Sequence, residues 1–131
     1  MMLIGDIGNT DTKICLLNSS YRIIKRLVLP TKKINQFILR KKLSFITNKK
    51  KPINKSLFCS VVPNKFLLIK SFLQKSFNIK CIELKNLNLS RIMKINVNRK
   101  QIGSDRLANS IAVISKKKKL YYFRFWYCHN I

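Results

Sequence analysis

The sequence is poor in acid. Four Asp and Glu residues stand against 28 Lys and Arg, giving a formal net charge of +24. Small residues are scarce as well, with three Gly, three Pro and only Ala108 and Ala112. There is one His, and the four Cys are scattered. A single His and no C-x-x-C pair exclude the usual zinc spacings, so Cys15, Cys59, Cys81 and Cys128 read as free thiols, three of them inside apolar segments. No apolar run approaches the ~20 residues of a membrane span and no signal peptide opens the chain, so no membrane partner and a cytoplasmic setting are expected.

The abundant residues explain the charge. Lys (21), Ile (18) and Asn (13) dominate, and all three have A/T-rich codons, whereas Gly, Ala and Pro have G/C-rich ones. The lysines run along the whole chain, without an aromatic-interleaved stripe, a helix-turn-helix or a zinc-finger spacing. A biased genome accounts for such solvated lysines, and no specific nucleic-acid partner is expected. A small basic nucleic-acid-binding protein stays the alternative from another class, and would bind any polyanion in a salt-dependent way. At 131 residues and 47% hydrophobic content the chain suits one compact domain rather than a disordered segment.

Periodicity gives the elements. "MLIGDI" and "KICLLN" are strands around the turn "GNTDT", and "YRIIKRLVL" is a third strand stopped by Pro30. "KINQFILRKKLSFITN" carries Ile34, Phe37, Ile38, Leu43 and Ile46 on one helical face. "SLFCSVV" fits a central strand. Pro63 opens a helix with Phe66, Leu67, Ile69, Phe72 and Leu73 inward, and "IKCIEL" is a fifth strand. Residues 86–102 read as a loop. "SDRLANSIAVIS" is a helix with Leu107, Ala108, Ile111 and Ala112 buried and Ser104 as its cap. The order β-β-β-α-β-α-β-loop-α describes an α/β sheet domain.

The rare residues gather in two places. Gly5, Gly8, Asp6 and Asp11 lie in "IGDIGNTDTK", and Gly103 and Asp105 in "QIGSDRLAN". In the first, Gly8 at a hairpin tip would let backbone N–H groups approach an anion, with Asn9, Thr10 and Thr12 as further donors. Lys13 would add a point charge, and Asp6 could hold a hydrated Mg²⁺ against phosphates. An ordinary hairpin turn uses the same residue types. In the second, Asp105 could accept a hydroxyl proton and Arg106 could bind an anionic group. An Asp in the first turn of a helix also favours the dipole without any such role.

"DIGNTDTK", then "SVVP" at residues 60–63, then "GSDRLANSIA" resembles, in this order and at similar separations, the N-terminal half of type III pantothenate kinases. That family belongs to the acetate-and-sugar-kinase, Hsp70 and actin superfamily. The resemblance, over residues 2–115, implies a ribonuclease H-like, actin-like ATPase domain, the first of two that close over a nucleotide. It implies ATP-dependent phosphorylation of pantothenate, the first step toward coenzyme A. Asp6, Gly8, Asn9, Thr10 and Lys13 would then lie in the ATP-phosphate stretch, and Gly103, Ser104, Asp105 and Arg106 would meet pantothenate, with Asp105 as base. It further implies a homodimer, and a monovalent cation (K⁺ or NH₄⁺) whose site would lie in the second half. A non-catalytic relative within the family is the remaining alternative. Ser104 stands where Ala is usual, Arg99 and Gln101 where Pro and an acidic residue are common, and Asn96 where a Tyr is often found just upstream.

The ending "KKKKLYYFRFWYCHNI" follows no such pattern. Family members continue with an apolar strand and "DFGTAT". Phe-Arg-Phe-Trp-Tyr-Cys-His-Asn can be written TTT AGA TTT TGG TAC TGC CAC AAT. One nucleotide later the same bases read Leu-Asp-Phe-Gly-Thr-Ala-Thr. The Gly is forced, because Trp126 has the single codon TGG and every Tyr codon begins with T. Residues 116–131 are therefore expected to be an out-of-frame tail, reached by slippage on the adenine run of the Lys codons. Residues 1–115 form the expected domain.

Overall fold

The computed structural model describes residues 1–47, 52–53, 55–96 and 102–116. Five strands form one sheet in the order β3-β2-β1-β4-β5. β1 (Met2–Ile7), β2 (Asp11–Leu17) and β3 (Ile23–Pro30) are antiparallel neighbours, while β1–β4 and β4–β5 are parallel. β4 is Lys55–Ser60 and β5 is Lys80–Glu83. Three antiparallel strands followed by strands alternating with helices is the arrangement expected from the sequence, and the structure adds that the later strands pair in parallel. Pro30 can end β3 because that strand is an edge and loses no ladder bond there.

Alternation along β4 explains the two layers. Ser56, Phe58 and Ser60 are buried on one face, with Phe58 in a core shared with Leu3, Ile7, Ile14, Leu39, Ile69 and Leu73. Helices α1 (Gln36–Lys42) and α2 (Pro63–Phe77) supply the far side of that core. Leu57 and Cys59 face the other way, into a smaller cluster of Leu84, Leu89 and Leu107. Leu107 comes from α3 (Ser104–Lys116).

Three helices differ from their sequence expectation in detail. α1 is shorter: Asn35 accepts from the Ile38 N–H at 2.9 Å and caps it, Leu43 leaves helical geometry, and residues Ser44–Ile46 form a separate 3₁₀ turn. Phe37 and Leu67, expected inward, are 74% and 58% exposed, because the buried stripes are completed by Ile34, Leu39 and Leu43 and by Phe66, Ile69, Phe72 and Leu73. Ala112, expected buried on α3, is exposed, since α3 packs through its first turns. β2 also begins earlier than expected, taking in Asp11 and Thr12. α2 ends as Asn78 adopts left-handed geometry (φ 53°), which Asn tolerates better than most residues.

Cys15, Cys59 and Cys81 are free. Cys128, Arg99, Gln101 and the expected tail from residue 117 onward lie outside the described residues, while Asn96 is exposed. No helix among the described residues is long and apolar enough to cross a membrane.

Candidate active site

The C-terminal ends of β1 and β4 lie side by side, and the two motif stretches meet there. In open α/β sheets this edge is where ligands bind. β1 runs into the turn of residues 8–11, whose Gly8 N–H donates to the Asp11 carbonyl at 3.0 Å. A Cβ on Gly8 would sit 3.0 Å from that same carbonyl oxygen, so the close approach itself favours glycine. Asn9, Thr10 and Asp11 are exposed along the turn. Asp6 and Lys13 are cross-strand partners on the face opposite the large core, both exposed.

Thr12 is placed differently from the other residues of that stretch. It is fully buried, and its hydroxyl lies 2.9 Å from that of Thr31. Thr31 donates its hydroxyl to the Gly8 carbonyl at 2.7 Å, and its N–H to the Thr10 carbonyl at 2.8 Å. Sequence reasoning missed Thr31. It stands in "LPTKK", which carries no motif, and its contacts reach residues about twenty positions away.

The "SVVP" stretch links the two motifs. The Val61 N–H donates to the Ile7 carbonyl at 3.0 Å, continuing the β1–β4 pairing past the strand end. The Ser60 hydroxyl accepts from the Val62 N–H and donates to the Val62 carbonyl, both at 3.1 Å, turning the chain so that Pro63 can open α2. Val61 in turn lies 4.0 Å from where a Gly103 side chain would begin. The rest of that space is taken by the Asp105 carboxylate, which folds back over Gly103, so any larger residue at 103 would displace Asp105.

α3 starts on the Gly103 carbonyl, which accepts from Arg106 and Leu107 N–H at 3.1 and 3.3 Å. Ser104 is not its cap. It is 1% exposed, and its hydroxyl sits 3.5 Å from Glu83 Oε1, at the limit of a hydrogen bond. Glu83 also pairs with Lys85 at 3.1 Å. A buried carboxylate needs such partners, and Ser104 supplies one. Asp105 and Arg106 remain exposed at the helix start.

Electrostatics place the carboxylates around one thiol. Burial, and then the charges of Asp6, Asp105 and Glu83, push the Cys59 thiol up to about 11. Cys59 is the register partner of Asp6 on the neighbouring strand. One carboxylate from each motif thus acts on the same side chain. No group of three or more His, Cys, Asp or Glu among the described residues could hold a metal unaided. Asp6 fits the more modest demand of a hydrated Mg²⁺ shared with phosphate oxygens, which takes one carboxylate from the protein.

A family model, type III pantothenate kinase, matches residues 2–122. The chain belongs to that family. Among curated type III pantothenate kinases it is 60% identical over 117 residues to the one from Pelagibacter ubique (strain HTCC1062), covering 89% of this chain and 47% of the relative. It is 36% identical over 120 residues to the one from Ehrlichia canis (strain Jake), covering 86% and 44%. The chain therefore spans about half the length of the curated relatives it matches.

Proposed function

We propose that this chain is the N-terminal half of a cytoplasmic kinase that phosphorylates pantothenate with ATP, giving 4'-phosphopantothenate at the head of coenzyme A synthesis. The supporting observation is the meeting of the two motifs at one sheet edge, with Asp6 and Asp105 both acting on Cys59, in a chain of the type III pantothenate kinase family. The turn of residues 8–11 offers exposed Asn9 and Thr10 toward the phosphates, Gly8 lets them approach, and Lys13 adds positive charge. Buried Thr12 contributes from beneath. Mg²⁺, held by Asp6 through water, would neutralise charge developing on the transferred group.

Gly103, Asp105 and Arg106 form the pantothenate side, while Ser104, expected from the sequence as a substrate contact, is buried behind them with its hydroxyl on Glu83. Arg106 holds the substrate's anionic end. Asp105, folded over Gly103, accepts the proton of the primary hydroxyl as its oxygen bonds to the γ-phosphorus and the bond to the bridging oxygen of ADP breaks. The family's homodimer and its monovalent cation belong to the same proposal, the cation in the second half.

The test uses the two-domain protein, with the second half its relatives carry. ATP- and pantothenate-dependent ADP release should fall by about 10²–10⁴ in kcat for Asp105→Asn, the usual worth of a general base, with ATP affinity kept. Near-wild-type turnover in that variant would remove Asp105 from the role.

A further inference from the structure

The turn of residues 8–11 holds the Gly8 N–H on the Asp11 carbonyl, and among the described residues one side chain from outside both motifs holds its Gly8 carbonyl. Thr31 sits under the turn at 2% exposure. Its hydroxyl donates to the Gly8 carbonyl at 2.7 Å and its N–H to the Thr10 carbonyl at 2.8 Å, while its Oγ1 meets the Thr12 hydroxyl at 2.9 Å. A trans peptide is planar, with its C=O and N–H pointing in opposite directions. Pulling the Gly8 carbonyl inward therefore aims the Asn9 N–H outward. Pulling the Thr10 carbonyl toward β3 turns the Asp11 N–H away from it in the same manner.

We infer that Thr31 is a positioning residue that presents the turn's peptide N–H groups to an anionic phosphate chain. The inference rests on the proposed role of this turn. The arrangement also explains the buried Thr12, whose hydroxyl completes the Thr31 bond set, so its effect on phosphate is indirect. Thr31 is itself held from the other side. Lys65, in the first turn of α2, donates its ammonium to the Ile34 and Lys32 carbonyls at 2.9 and 3.3 Å, fixing the 3₁₀ turn Thr31–Lys33. The helix that "SVVP" opens and the phosphate turn are thereby tied through residues 31–34.

The test uses the ¹⁵N-labelled 131-residue chain as wild type, Thr31→Val and Thr31→Ser, titrated with inorganic triphosphate. Val keeps the shape and removes the hydroxyl, leaving the Gly8 carbonyl and Thr12 hydroxyl unpaired; Ser keeps the hydroxyl. Triphosphate should shift the Asn9, Thr10 and Asp11 amides in wild type and in Thr31→Ser. In Thr31→Val its affinity should fall about tenfold and the Gly8 amide should exchange about tenfold faster, the scale of one lost buried hydrogen bond, with β4 and α2 amides unchanged. Equal affinity in wild type and Thr31→Val would overturn the role of Thr31 while leaving the turn as a phosphate site. Equal loss in Thr31→Val and Thr31→Ser would overturn the hydroxyl as its cause. No shift of the turn amides in wild type would overturn the phosphate role of the turn, and with it the purpose assigned to Thr31.

Discussion

Cys59 reports the charge of the site in a way that can be measured. Unfolded, its thiol loses a proton around its ordinary 9.0; folded, burial and then Asp6, Asp105 and Glu83 hold the proton on up to about 11. Below 9.0 both states are protonated and the contribution is fully present. Between those values the unfolded chain binds fewer protons than the folded one, so stability falls as pH rises through the window. A shift of this size would be about 2.7 kcal/mol at full burial, and solvent screening of a half-buried thiol reduces it to roughly 1 kcal/mol. Urea unfolding of wild type and Cys59→Ala at about pH 8 and about pH 10.5 should show wild type losing roughly that much more. Equal losses would mean that neither burial nor the carboxylates hold the proton on this thiol. The placement of Asp6 and Asp105 was legible in the sequence because scarce glycines and acids mark both motifs. Thr31 and Glu83 were not, since their roles depend on contacts between distant segments, with Gly8 and Ser104 respectively.

At the scale of elements, β1 and β4 must lie close enough to bring the two site segments together, and Gly5 and Phe58 make this possible. They are register partners, and the Phe58 ring occupies the space where a Gly5 side chain would begin. Phe58 is 0% exposed and packed in the main core, where close packing resists displacement of its ring. Gly5→Ala should therefore destabilise by about 1–3 kcal/mol through overpacking, and Phe58→Leu in the same chain should recover part of that loss. Additive losses in the double variant would contradict direct packing between the two. The strands and helices themselves were legible because apolar residues repeat with periods of two and 3.6. Their limits were less so. α1 stops at Leu43 although apolar residues continue to Ile46, and the site-forming end of α3 is set by the Gly103 carbonyl and the Glu83–Ser104 contact rather than by a Ser cap.

At the scale of the whole molecule, the described residues give the site one wall. The turn, Val61, Gly103 and Asp105 line a single sheet edge, and Val61 is 39% exposed there. Phosphoryl transfer depends on donors fixed on both sides of the moving group, so the proposed activity needs an opposing domain. The curated relatives are about twice as long as this chain, which accommodates such a domain, and the family match stops at residue 122. The bases encoding residues 123–130, shifted by one nucleotide, can spell Asp-Phe-Gly-Thr-Ala-Thr, with its Gly forced by Trp126 and Tyr127. That peptide is the second phosphate motif of the family resemblance, and an apolar strand before it is allowed in the same frame. The expected outcome of sequencing the gene is therefore an adenine run at the codons of residues 116–119, followed in the shifted frame by that motif and a second α/β domain. Codon choices that do not spell the motif, or a shifted frame that closes soon after it, would assign the aromatic tail to this protein as its own and leave the proposed kinase without its second wall.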